Sequence, residues 1–143
     1  VKKAALAIAI FALVGLSACS HSLTHKQTAH LLTKYLNGDV TALAQLQKFA
    51  RRGDVEAEVD LGHIYRNGRG VPINDAKSAY WYRKAARRGN TGAEVDLAGD
   101  YANGQGEHKN LTKAVHWLRK AAEQGGKDGA IARWYLGLMQ KHR

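Results

Sequence analysis

Four carboxylates in this 143-residue chain stand where acid–base chemistry could use them: Glu58 with Asp60, and Glu94 with Asp96. Two carboxylates flanking a sugar linkage can hydrolyse it, one protonating the leaving oxygen and the other attacking or activating water. His21, His25 and His30 could ligate a metal. The loops Asn67-Gly68-Arg69-Gly70 and Asn103-Gly104-Gln105-Gly106 could turn backbone amides toward an anion. Each reading has a plainer competitor. No carboxylate stands beside the three histidines to complete a ligand set, so they read as solvated spacer and no metal site is assigned. The glycine loops lack the lysine and hydroxyl residue of a phosphate loop. No nucleophile motif occurs, so no catalytic residue and no cofactor is expected.

The elements that would have to position the acids explain why they recur. The stretch AEVDL is written at Ala57–Leu61 and again at Ala93–Leu97, inside a 36-residue period that lays Gly53–Arg88 over Gly89–Gln124 without a gap. Nearly half of the positions are identical, among them Tyr65/Tyr101, Asn67-Gly68/Asn103-Gly104, Gly70/Gly106, Trp81/Trp117 and Arg83-Lys84-Ala85-Ala86/Arg119-Lys120-Ala121-Ala122. An internal period of this length marks stacked supersecondary units. Apolar residues fall at helical spacing in Ala57, Leu61, Ile64 and Tyr65, and again in Ala79, Tyr82, Ala85 and Ala86, so each unit is a helix pair. Gly68 closes the first helix, Gly70-Val71-Pro72 turns the chain, Asn74 or Asp75 caps the second helix, and Gly89 and Gly125 stop the second helices. Acids at equivalent points of such an array follow from the period alone. Trp81 and Trp117 read as packing residues.

The pattern resembles the Sel1-like repeat family, an all-α relative of the tetratricopeptide repeats. The resemblance rests on Ala57, Leu61 and Gly62, on Tyr65, Gly68 and Gly70, on Val71-Pro72, and on Ala79, Trp81, Tyr82, Lys84, Ala85, Ala86 and Gly89. The second copy departs from it at Ala98, at Glu107-His108 and at Leu118. Residues 27–52 read as a degenerate N-terminal helix pair, 53–88 as repeat 1, 89–124 as repeat 2, and 125–143 as a further first helix with Leu136-Gly137 in register. The resemblance implies an all-α, short right-handed solenoid of Sel1-like (tetratricopeptide-like) helix pairs, with roughly six helices.

The N-terminal residues lie outside that argument. VKKAALAIAIFALVGLSAC carries two lysines, an apolar run from Ala4 to Leu16 and small residues before the only cysteine, which is the layout of an export signal over 1–18. Leu16–Cys19 resembles the lipobox of bacterial lipoproteins. That resemblance implies lipid attachment at Cys19, a tether over 19–26 and, from Ser20, an outer-membrane address facing the periplasm. The chain carries +10, with Lys2 and Lys3 inside the expected signal. An exported lipoprotein does not meet nucleic acid, so anionic lipid, acidic polysaccharide or an acidic protein surface are the partners that charge could serve. Much of the excess, as in Arg87 and Arg88, falls at helix ends, where it also suits the helix dipole.

Stacked repeats build a surface longer than one unit offers. The leading expectation is a membrane-anchored adaptor that binds another envelope protein, with peptidoglycan or acidic polysaccharide as the alternative ligand and a glycan hydrolase using Asp60 or Asp96 as the least favoured. On a helical wheel Glu56, Asp60, His63 and Asn67 point outward from the first helix of repeat 1, and Asp96 falls at the same register in repeat 2. In the terminal helix Ile131, Tyr135 and Leu138 take those positions, and Trp134 faces where another repeat would stack. The expected binding surface is therefore an acidic strip of Glu56, Asp60, His63 and Asp96 running into an apolar patch of Ile131, Trp134, Tyr135 and Leu138.

Overall fold

The computed structural model describes residues 27–141. The expected signal, Cys19, the tether, His21 and His25 lie outside the described residues. Among the described residues seven helices follow one another: α1 through residues 27–36, α2 Thr41–Arg51, α3 Val55–Asn67, α4 Asp75–Arg87, α5 Thr91–Asn103, α6 Leu111–Gln124 and α7 Gly126–Lys141. Among the described residues there is no strand and no helix long and apolar enough to cross a membrane. Helix α3 packs on α4 and α5 on α6, while α2 against α3, α4 against α5, and α6 and α5 against α7 join the pairs into an all-α repeat solenoid.

The helix boundaries come from local chemistry. Asp54, Asn74, Asn90 and Asn110 each accept a hydrogen bond on the side-chain oxygen from the backbone N–H three residues on, satisfying a donor the helix leaves free. Asn74 rather than Asp75 is thus the cap of α4. Gly68 and Gly104 close α3 and α5 in the left-handed conformation, at φ 64° and 76°. Tyr35 of α1 donates its hydroxyl hydrogen to the carbonyl of Arg69, which ties the N-terminal pair to the first repeat's turn.

Three apolar clusters run along the array. Leu46, Leu61 and Ile64 centre the first, Tyr82 and Leu97 the second, and Ala98, Leu118 and Ala132 the third. Ala57, Leu61, Ile64 and Tyr65 are all buried, as their spacing predicts. Gly62 lies against the ring of Tyr82 in its own repeat. Trp81 is buried at 8% exposure, whereas Trp117 is only half-buried between the second and third clusters.

Candidate functional site

The four recurring acids divide by the direction in which their helices turn them. Glu58 and Glu94 are fully buried. Lys84 Nζ and Arg88 Nε each lie 3.6 Å from the Glu58 carboxylate. Lys120 Nζ lies 2.8 Å from Glu94, to which Gln124 also donates. Burial pushes the Glu58 carboxyl up, and Arg88 and Lys84 oppose that. Lys84 and Lys120 also stand 5.1 and 4.9 Å over the rings of Trp81 and Trp117. Each lysine is therefore held between a buried carboxylate and an indole. These two acids tie the first helix of a repeat to its second. Part of the basic excess that composition offers to an outside anion is spent on them.

Asp60 and Asp96 point outward and are half-buried, while Glu56 and His63 are exposed. Asp60 and His63 line a cavity of about 260 Å³ whose other wall includes Leu32 and Leu36 of α1. Asp96 faces the seam between the repeats, where residues of three helices meet. Arg66 of α3 pairs with Asp100 of α5, approaches Asp96 at 3.8 Å and lies 4.7 Å from the ring centre of Tyr82. The Tyr82 hydroxyl is 2.7 Å from His63 Nδ1. Burial raises the phenol, so it keeps its proton, and the protonation state of His63 sets which of the two groups donates. Asp100 is 1% exposed, and burial pushes its carboxyl up to about 7 against the pull of Arg66. The Asp96 carboxyl is also raised, first by burial, with His63 and Arg66 opposing and Asp128 adding to the rise. The expected acidic strip thus carries His63 and Arg66 within it.

Sequence reasoning missed Arg66, Tyr82 and Asp100 as members of this site. Its signal lay where the copies disagree: Asp100 stands at the position of Ile64, a core residue in repeat 1, and Ala102 at the position of Arg66. A carboxylate in a core position calls for a partner, and the preceding repeat supplies it.

The terminal residues gather as a second surface. Ile131, Trp134 and Tyr135 are exposed at 37%, 61% and 44%. Trp134 and Tyr135 meet edge to face with ring centres 5.0 Å apart. Helix α7 turns Gly129 and Ala132 into the core, with Leu136 and Met139 partly buried beside them. Leu138 is half-buried and lines a groove between α6 and α7. With Leu136 aligned on Leu97 and Leu61, Trp134 falls at the register of Val95 and Val59. Those valines pack into the third and second clusters respectively, so this register is the one that faces the following unit.

No curated protein matches the chain. The Sel1 repeat family model matches residues 55–90 and 92–126. Among solved structures, the chain is similar to a Sel1 repeat protein from Oxalobacter formigenes, at 34% identity and TM-score 0.64 over 68% of this chain and 28% of that one. It is similar to c5321, a protective antigen of uropathogenic Escherichia coli with an SLR fold, at 31% identity and TM-score 0.63 over 69% of this chain and 22% of that one. Helicobacter pylori cysteine rich protein B shares the fold at 21% identity and TM-score 0.59, over 74% of this chain and 91% of that one. The chain spans less than a third of the length of the first two. With the repeat spacing, the caps and the helix pairing in place, it carries two Sel1 repeats and through them belongs to the Sel1 repeat family.

Proposed function

We propose that this chain is a lipid-anchored adaptor of the bacterial outer membrane, facing the periplasm, that binds another envelope protein along the outward arc of α3, α5 and α7. Sel1 repeats in general act as protein-interaction scaffolds. The observation that carries the reading is the change in character along one arc, from Asp60, His63 and Asp96 to the exposed Ile131, Trp134 and Tyr135. An apolar patch rimmed by polar groups is the usual composition of a protein-docking surface. Attachment through acyl chains on Cys19 would hold this arc close to the bilayer, each buried methylene contributing about 0.8 kcal/mol.

Crosslinking in intact cells, followed by pull-down of the tagged protein, tests this reading. The wild type should retain one envelope protein that the Tyr135→Ser/Leu138→Ser variant loses while keeping its helicity and melting temperature. A variant that unfolds would place those residues in the core. Retention by purified cell wall in place of a protein partner would transfer the function to glycan binding.

A further inference from the structure

The two copies of the repeat allow the last described helices to be read against the pair before them. On α4, the loop between α5 and α6 seats against Asp75 and Arg83, with the buried Ala79 one turn from each. Gly106 lies so close to the Asp75 carbonyl that a Cβ there would overlap it, and Glu107 pairs with Arg83. The 36-residue period carries this seat to Leu111, Val115 and Arg119 on α6. Among the described residues that surface is a groove of about 800 Å³, closed on its other side by Leu136, Leu138 and Met139 of α7.

Chemistry narrows what fits. The lining contains no acid, and Arg119, which takes the place of Arg83, is exposed. Arg133 and Lys141 stand exposed on α7 as further cations. Leu111, 52% exposed, replaces the polar Asp75 and makes this seat more apolar than its internal counterpart. A second copy would bring the same cationic rim against itself, which electrostatics disfavours. A sugar polymer would leave the leucines and Met139 without apolar contact.

We propose that the groove between α6 and α7 receives an acidic, apolar polypeptide segment of a partner protein, whose carboxylate pairs with Arg119 as Glu107 pairs with Arg83. The inference rests on the adaptor reading and names the chemistry of its partner.

The test places a photocrosslinking amino acid at the exposed His116, inside the groove, and separately at Glu56 on α3, in cells making the full chain. The expected adduct at His116 maps by mass spectrometry to an apolar segment of another protein containing Asp or Glu. Arg119→Glu should lower its yield by about tenfold and Arg119→Lys by less than about twofold, the difference a charge reversal makes at a desolvated ion pair. Adducts to a second copy, to residues 1–26 of the same chain or to a segment without acid would overturn the proposal, as would equal yields from the two Arg119 variants. An adduct at Glu56 with none at His116 would sink the groove and leave the adaptor standing. Absence of both would sink the two together.

Discussion

Gly62 lies against the ring of Tyr82, so close that a methyl group at residue 62 would overlap the ring carbons. One period later Ala98 takes the place of Gly62 and Leu118 that of Tyr82, and both sit in the third apolar cluster. Two departures from the family pattern that look independent in the sequence therefore compensate each other. Gly62→Ala should cost about 1–3 kcal/mol through overpacking. Adding Tyr82→Leu should recover part of that loss, giving a favourable coupling energy in a double-mutant cycle. Urea denaturation of the four proteins measures it, and strictly additive losses would contradict the compensation.

The caps and turns were legible because their determinants are local. Asn74, Asn110, Gly68 and Gly104 act on backbone within a few residues, so a linear reading finds them. The ties between Glu58 and Lys84, and between Glu94 and Lys120, were not legible because each spans two helices and depends on which face turns inward. Both partners were already identical between the copies, and helix-end electrostatics offered a sufficient reason for the lysines. The seam of Arg66, Tyr82 and Asp100 was hidden differently, since it joins residues by which the copies differ, and a shared period carries no sign of them.

The buried Glu94 depends on Lys120, which is itself 39% exposed at the side chain. Lys120→Ala strands a carboxylate away from water and should cost about 2–3 kcal/mol, below the range for a wholly buried pair because solvent reaches the lysine. Replacing both partners, as Glu94→Leu with Lys120→Met, should restore most of that stability, since the desolvation cost then disappears. Thermal unfolding separates the cases. A double variant less stable than Lys120→Ala would mean that the pair contributes more than it costs to bury.

The two tryptophans, identical in the repeat pattern, should differ in cost. Trp81→Ala removes a buried aromatic from the first cluster and should destabilise by about 3–5 kcal/mol, enough to threaten so small a domain. Trp117 is half-buried, and its truncation should cost clearly less. Equal losses in chemical denaturation would show that the indoles do the same work despite their different exposure.

Asp100 should make the fold sensitive to pH. Burial holds its carboxyl at about 7 in the folded protein, against 3.8 as its ordinary value, with Arg66 pulling down and Asp96 and Asp75 pushing up. The folded state therefore binds this proton more tightly than the unfolded chain does. Stability from this group is complete below about pH 4 and declines as pH rises toward about 7. The raised carboxyls of Asp96 and Glu58 act in the same direction. The melting temperature should accordingly fall between about pH 4 and about pH 7, and Asp100→Asn, which cannot ionise, should flatten that fall. Arg66→Met should extend the decline to higher pH, because removing the guanidinium leaves burial unopposed and raises the folded-state carboxyl further. Calorimetric melting of the three proteins across that range decides the matter. An Asp100→Asn variant whose melting temperature falls as steeply as the wild type's would show that the proton resides elsewhere.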